Sequence, residues 1–366
     1  MSTTTTGRHE RPEEIQEQVP QGFWAELKDA VALRTVALVL GVLFLQIGFV
    51  LSYVGAFHNP TPHRVPIAVV APAQPGEQLV GQLNAINGEP LVATLVPDEA
   101  TARAQITDGT VSGALVVDTS GTNDALLVAT ASGASKATAI QEVLSQAEAT
   151  QKRTITVSDV LQVQPGDSRG LTGFYLVVGW TVGGYLVAAL LGVAKGARPT
   201  NRRRAVFRLL AIVPYSIVSG LAGAVVVGPV LGAMTGHTMG LWLLGSLLVF
   251  AAAAVTMAFQ VLFGVIGIGL TVLLFVILGN PSAGGAYAPE LLPPFWRAIS
   301  GGIPNGAGTA AVRKIVYFGA EGITGNVIVI AIYAVVGVAV ALIASTVLQK
   351  RDLQKRAADP SAGVLV

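Results

Sequence analysis

The chain contains no cysteine and very little charge. Without thiols it has no disulfide, no thiolate zinc site and no cysteine nucleophile. Its four histidines are scattered through 366 residues, with no pair at metal-ligand spacing. Charged residues make up 12% of the chain and hydrophobic residues 52%, whereas about a quarter of a typical soluble domain is charged. These values exclude a disordered protein and argue against an ordinary soluble enzyme.

Motifs for catalysis and energy conversion are also absent from the sequence. No Gly-x-x-x-x-Gly-Lys-Ser/Thr stretch occurs, so the chain does not bind ATP through that loop. The membrane spans predicted below contain no Asp, Glu or Lys that would relay protons or pair with a cation. We therefore predict a protein that is not an enzyme and needs no cofactor. If it moves a substrate, a partner must supply the energy.

Long uncharged runs are what the sequence does contain. Residues 209–289 include no Asp, Glu, Lys or Arg over 81 positions, although a soluble helix needs a polar face. About 20 apolar residues span the hydrocarbon core of a bilayer. We predict an α-helical integral membrane protein with six transmembrane helices. Their predicted bounds are 35–57, 171–194, 206–233, 241–257, 262–278 and 326–348, with a tight turn around Gln260 between the fourth and fifth.

These spans are arranged as one span, a domain and then five spans. The parts are a tail with an amphipathic segment (1–34), the first span (35–57), an extracytoplasmic domain (58–170), a permease-like domain (171–349) with an outer loop at 280–322, and a second tail (350–366). The first span is also compatible with a cleaved signal peptide, because Val54-Gly55-Ala56 offers small residues. The 34-residue tail before it favours an uncleaved anchor.

The distribution of Lys and Arg predicts the orientation. The first tail has four of these residues, the connection at 195–208 has six, and the second tail has four. All three segments lie on one side of a six-span topology, and short cytoplasmic segments carry an excess of Lys and Arg. We predict a multi-pass protein of the cell (plasma or inner) membrane with both termini in the cytoplasm.

Strand and helix patterns alternate in residues 58–170. This alternation predicts a small α/β domain. We find no phosphate-binding loop and no Ser/His/Asp set in it, which favours a binding or spacing role. Strands are predicted at 65–70, 91–96, 114–117, 125–129 and 154–161, and helices at 76–86, 100–106 (with Asp98 as its cap) and 135–151.

The loop at 280–322 combines proline and glycine with large apolar residues. The breakers disfavour a regular helix, and Trp296 favours the headgroup boundary. Two interpretations remain open: a membrane-hugging connector, or an outer lid that closes a pathway between helices. Residues 307–318 are predicted to form a short interfacial helix, with Arg313 and Lys314 toward water. The candidate outer-gate residues are Pro281, Ser282, Gly284, Gly285, Pro293, Pro294, Phe295 and Trp296.

Two cytoplasmic features are candidates for docking a partner. Phe23, Leu27 and Val31 recur every four residues, which predicts an amphipathic helix on the inner surface. A compact arginine cluster at 202–204 is compatible with contact to anionic lipid or with docking of an ATPase. The candidate docking residues are Phe23, Trp24, Leu27, Arg202, Arg203 and Arg204.

The sequence after the fifth span is similar to that of a known family. It reads Leu278-Gly-Asn-Pro-Ser-Ala-Gly-Gly-Ala, then Pro289-Glu-Leu-Leu-Pro-Pro-Phe-Trp, then Pro304. With the layout of one span, a domain and five spans, it resembles the ABC-2-type membrane proteins of the phage infection protein (Pip/YhgE-like) group and the related nitrosoguanidine-resistance proteins. The resemblance implies a permease-like fold in a homodimer. It also implies a separate cytoplasmic ATPase that faces residues 21–33 and 195–205.

These observations lead to two functional hypotheses. The first is an ABC-2-type permease subunit that exports a hydrophobic or amphipathic compound with a separate ATPase. The alternative is a non-transporting membrane scaffold or receptor that uses the 58–170 domain for binding. In both cases the lipid bilayer is a partner, and a net charge of +2 gives no indication of nucleic-acid binding.

Overall fold

The computed structural model describes residue 22 and residues 33–196, 198 and 201–358. This part of the chain is mostly helical and contains one small sheet. Within it, five helices are long and apolar enough to cross a membrane. The first of them, α1, is Leu33–Phe57 and has no charged residue in the 23 positions from Thr35 onward.

A five-stranded sheet follows α1 and confirms the predicted alternation of strands and helices. The strand order is β2-β1-β3-β4-β5, with β3 and β4 antiparallel and the other neighbouring pairs parallel. Parallel neighbours need crossover connections, which the helices provide. In chain order the elements are β1 (Val65–Val70), α2 (Ala73–Asn84), β2 (Leu91–Val96), α3 (Glu99–Thr107), β3 (Gly113–Val116), β4 (Asn123–Val128), α4 (Ala134–Thr150) and β5 (Thr154–Asp159).

Alternating side chains of the sheet contribute to two apolar cores. On β1, Val65, Ile67 and Val69 belong to the core shared with α2 and α4, whereas Ala68 belongs to the core shared with α3. This period of two is the pleat of a strand whose faces are both covered. Asp98 caps α3 as predicted, because its side chain accepts a hydrogen bond from Thr101 N at 2.7 Å.

Within the described residues, seven more α-helices follow the sheet. The longest ones pack around α7, whose apolar stretch is largely buried. The last five residues of α6, which include Pro229, form a wide π-helical turn. The helices are α5 (Thr172–Lys195), α6 (Arg202–Val230), α7 (Thr238–Phe263), α8 (Ile266–Ser282), α9 (Pro294–Ser300), α10 (Pro304–Tyr317) and α11 (Thr324–Ala358).

The turn between α7 and α8 corrects one prediction. We placed it around Gln260, but α7 continues to Phe263 and the turn begins at Gly264, whose φ is +63°. Gln260 is buried, and its side-chain amide donates to Ala189 O at 3.4 Å. A glycine in the left-handed region ends a helix at low cost. Helix α8 is shorter than the five spanning helices, so the count of six spans stays a prediction.

The segment at 280–322 corrects a second prediction. It contains two helices, and α10 begins with Pro304 at a position where the missing N–H costs little. An interfacial helix was expected, but α10 is largely buried and contacts α5, α7 and α11. Small residues such as Gly308 permit this, because a Cβ atom there would lie only 3.2 Å from Leu248 and Val177. Arg313 and Lys314, expected toward water, are both half-buried.

Contacts between connections define the two ends of the bundle formed by α5–α11. At one end, Gln164 Oε1 in the linker after β5 accepts from Thr235 N at 2.8 Å in the α6–α7 loop. At the other end, Arg198 donates to Leu262 O at 3.0 Å, and Arg202 N donates to Gln349 Oε1 at 3.3 Å. The α/β domain and the basic connection therefore lie at opposite ends, called here the domain end and the basic end.

Candidate functional site

Buried Asn305 and half-buried Asn280 form a polar pair where α8 meets α10. The Asn305 side-chain amide donates to Asn280 Oδ1 at 2.8 Å and to Phe275 O at 3.0 Å. Asn305 is fully buried, and its Oδ1 has no hydrogen-bond partner among the residues that the structure describes. A Cβ atom at Gly279 would lie 2.6 Å from that oxygen, so only glycine leaves room for it. This pair joins two elements across apolar surroundings.

The end of α8 has an irregular backbone next to this pair. Residues Leu273–Gly279 form a π-helical stretch, with Phe275 fully buried within it. Ser52 on α1 donates its hydroxyl hydrogen to Ile277 O in the same stretch. Wide π-helical turns inside α-helices occur frequently at functional sites. The stretch therefore marks this part of the bundle as a candidate site.

The first four predicted gate residues lie at the end of α8 or just after it, next to the start of α5. Pro281 and Ser282 are buried, and the Ser282 hydroxyl donates to Leu278 O at 2.8 Å. Gly284 has φ +72°, a left-handed conformation that suits glycine. A Cβ atom added at Gly285 would overlap the ring of Phe174 on α5. The chain thus turns directly over the domain end of α5.

The other four predicted gate residues form the start of α9. Pro293 precedes this helix and Pro294 is its first residue. The rings of Phe295 and Trp296 meet edge to face with centroids 4.9 Å apart, and Phe295 is 56% exposed. Trp296 Nε1 lies 4.0 Å from the position of a Cβ atom at Gly55 on α1. The last turn of α8 contacts α9, so the structure brings both groups of four together.

The α/β domain contacts this Pro/Gly segment (residues 280–304) directly. Lys136 Nζ on α4 lies 2.8 Å from Glu290 Oε1. Ala288 N donates to Ser135 Oγ at 3.1 Å, and His63 N donates to Glu290 O at 2.9 Å. An apolar cluster of Ala139, Ala288 and Leu291 lies beside these bonds. The domain and the segment are therefore joined by an ion pair, backbone hydrogen bonds and a small core.

The predicted ATPase-docking residues lie elsewhere or outside the described residues. Arg202, Arg203 and Arg204 are exposed in the first turn of α6 at the basic end, where Asn201 Oδ1 accepts from Arg204 N at 2.9 Å. The structure does not bring them together with the gate residues. The predictions for Phe23, Trp24 and Leu27 fall outside the part of the chain that the structure describes.

The asparagine pair and the domain contacts were not identified from the sequence. Asn305 lies in an Ile-Pro-Asn-Gly stretch whose asparagine resembles an ordinary turn residue. A polar side chain just after an 81-residue uncharged block was the available signal. Within residues 33–196, 198 and 201–358, no group of three or more His, Cys, Asp or Glu is placed to hold a metal ion.

The spanning helices and their connections define a multi-pass helical membrane protein. Residues 34–343 match the family model described as ABC-2 family transporter protein, so the chain belongs to that family and is a membrane permease subunit. Permeases of this family usually work with a separate ATPase. Comparison with curated proteins and with solved structures gave no significant match. Membership of the phage infection protein group stays a prediction.

Proposed function

We propose that the chain exports a hydrophobic or amphipathic compound, with energy from a separate cytoplasmic ATPase. The observation that carries this proposal is the closed domain end of the bundle. There Gly285 lies against Phe174, and Asn305 is hydrogen-bonded to Asn280. A closed outer end is the state expected of an exporter before ATP drives opening. The eight gate residues of the Pro/Gly segment are the elements that would move.

The proposed topology has six membrane passes. Helix α8 is the short fifth pass, the α/β domain lies outside the cell, and both termini are cytoplasmic. The positions of two segments support this arrangement. The Lys/Arg-rich connection at 195–208 and the later part of α11 lie at the same end of the helix bundle. The excess of Lys and Arg at that end agrees with the cytoplasmic side of the cell membrane.

Two copies of the chain are proposed to form the exporter. Helix α1 presents large apolar side chains that are not covered within the described chain, among them Ile47, Val50, Leu51 and Val54, each more than half exposed. Lipid covers such a face in a single copy, and a second copy covers part of it in a homodimer. Transmembrane helices associate mainly through packing of this kind.

Docking of the ATPase is proposed at the basic end. Arg202, Arg203 and Arg204 are exposed there, and the amphipathic segment at 21–33 is the second predicted contact. A Phe23→Ala/Trp24→Ala/Leu27→Ala variant keeps every basic residue near the first span, so it should remain in the membrane. It should lose both ATPase copurification and export, whereas alanine at Thr3, Thr4 and Thr5 should leave both intact.

The decisive experiment reconstitutes the purified complex in liposomes with a panel of fluorescent amphipathic dyes. ATP-dependent movement of a dye that stops in the triple variant supports the proposal. Movement under a proton gradient without ATP would overturn it. An absence of transport, together with ligand binding by the full-length protein through its 58–170 domain, would favour the scaffold or receptor alternative.

A further inference from the structure

A cavity of about 410 Å³, lined by four basic and three acidic side chains, lies where the α/β domain meets the Pro/Gly segment. The domain contributes Asp108, Ser132 and Lys136 to its wall, and the helices contribute Arg297 and Arg313. Small-molecule sites typically enclose about 300–1,000 Å³. The cavity is therefore large enough for the polar part of a ligand.

The basic side chains that line this cavity are only partly neutralised. Lys136 pairs with Glu290 at 2.8 Å, and Lys314 donates to Gly322 O at 2.8 Å and to Asn326 Oδ1 at 3.1 Å. Arg297 and Arg313 have no ion pair within 4.0 Å in the described part of the chain.

Within the part that the structure describes, the protein supplies neither Arg297 nor Arg313 with enough partners to replace the water that each loses on burial. Arg297 Nη1 is buried and has no hydrogen-bond partner among the described residues. Burial lowers the pKa of Arg313, although the charges of Glu290 and Asp167 act in the opposite direction. A buried charged donor without a partner costs free energy. An anion in the cavity would remove that cost.

A second, more apolar groove begins at the same arginine. It has a volume of about 790 Å³ and runs between α2 and α4 to the start of α9, with Arg297 in its wall. Leu79, Leu83, Val143 and Leu292 are among its apolar lining residues. Arg297 thus lies between a cavity with a charged lining and a groove whose other lining residues are uncharged, an arrangement that matches a molecule with an anionic head and an uncharged tail.

We propose that the cavity binds the phosphate-bearing headgroup of an anionic amphiphile whose apolar part lies in the groove, with Arg297 and Arg313 as the phosphate ligands. The planar guanidinium group suits phosphate because it donates two parallel hydrogen bonds. This inference rests on the proposed function in one respect: it takes this amphiphile to be the exported compound. Binding itself does not depend on transport.

The test measures binding to purified full-length protein in a neutral detergent. The probes are dioctanoyl phosphatidic acid, dioctanoyl phosphatidylcholine and inorganic phosphate. Arg297→Gln/Arg313→Gln should weaken binding of phosphatidic acid about tenfold or more, because charged hydrogen bonds are lost. The matched control is Arg103→Gln, which removes an exposed arginine absent from the lining of both the cavity and the groove, and it should bind as the wild type does.

The outcomes distinguish recognition of free phosphate from recognition of the phosphate in a lipid headgroup. Competition by inorganic phosphate would assign recognition to the phosphate alone, and preference for phosphatidic acid without such competition would require the amphiphile. Equal affinity for phosphatidylcholine, or unchanged affinity in the double glutamine variant, would overturn the proposal. If that variant does not fold, Arg297→Lys/Arg313→Lys keeps both charges, and its weaker binding still tests the guanidinium geometry. Retained binding without export would leave this inference standing and reject only the proposed function.

Discussion

Lys136 Nζ and Glu290 Oε1 are 2.8 Å apart and join the α/β domain to the Pro/Gly segment across 154 positions of the chain. Their side chains are only 12% and 29% exposed. Burial raises the pKa of Glu290, but the charge and hydrogen bond of Lys136 outweigh it and hold the pKa below its usual range. The Glu290 carboxyl group is therefore ionised at neutral pH.

Removing one member of this pair should loosen the domain. Lys136→Ala leaves a poorly solvated carboxylate and should lower the free energy of unfolding by about 1–3 kcal/mol. The double variant Lys136→Ala/Glu290→Ala should cost less than the sum of the single changes. Thermal unfolding of the purified protein measures both effects. Arg64→Ala, which breaks a well-exposed ion pair with Glu89, should leave the Tm nearly unchanged, and strict additivity at 136 and 290 would contradict the coupling.

A second ionic cluster lies within the domain at β4, α4 and β5. Arg153 binds both carboxylate oxygens of Asp124, at 2.6 and 2.5 Å, and Asp124 is fully buried. Glu148 Oε2 is 3.6 Å from Arg153 Nε. Burial, followed by the neighbouring Asp124 carboxylate, raises the pKa of Glu148 to about 7. Arg153 therefore interacts with two carboxylates, and its contacts with Asp124 are shorter than its contact with Glu148.

The raised pKa of Glu148 predicts that the stability of the α/β domain depends on pH. The folded state holds a proton on Glu148 that the unfolded state releases near pH 4.3, so stability falls as the pH rises from about 5 through 7. The loss should be on the order of 1–3 kcal/mol. Hydrogen exchange of β4 and β5 in the full-length protein, corrected for intrinsic rates, measures it. Glu148→Gln should reduce the pH dependence of stability, whereas Glu142→Gln, at an exposed position, should leave it unchanged. An unchanged pH dependence in Glu148→Gln would contradict its assignment to Glu148.

The contact of Gly285 with Phe174 predicts a pair of compensating substitutions. Gly285→Val should prevent the Pro/Gly segment from closing over α5, and export should fall while membrane insertion persists. Phe174→Ala in the same chain should make room for the valine and restore part of the export. Gly325→Ala is the control, since a Cβ atom there meets no atom within 4 Å. Unaltered dye export by Gly285→Val would show that this contact does not gate the pathway.

The absence of cysteine allows a direct test of topology. Thr122 is exposed in the turn between β3 and β4, and Gln354 is exposed near the end of α11. An impermeant maleimide added to intact cells should label Thr122→Cys and spare Gln354→Cys, and both should react after permeabilisation. The opposite labelling pattern would invert the proposed orientation.

The sequence predicted the first two strands and the first two spanning helices closely, but not the turn between α7 and α8. The strands at 65–70 and 91–96 were predicted at their observed bounds, because apolar runs rich in β-branched residues end there at turn residues. The α7–α8 turn was predicted four residues early, since an evenly apolar run gives no contrast and Gly264 is one glycine among many. The contact of Asn280 with Asn305 joins residues 25 positions apart. Such a contact depends on how helices pack, which local patterns do not contain.

The tight turn after α7 also has a mechanical consequence. A Cβ atom at Gly267 would lie 2.6 Å from Gln260 N, so α7 and α8 are in close contact at this turn. Arg198 from the basic connection is bonded to Leu262 beside this turn, and Asn280 is at the far end of α8. Helix α8 is about 25 Å long. We therefore expect a displacement of the basic connection to move this turn and, through α8, the hydrogen-bonded pair of Asn280 and Asn305 at the domain end.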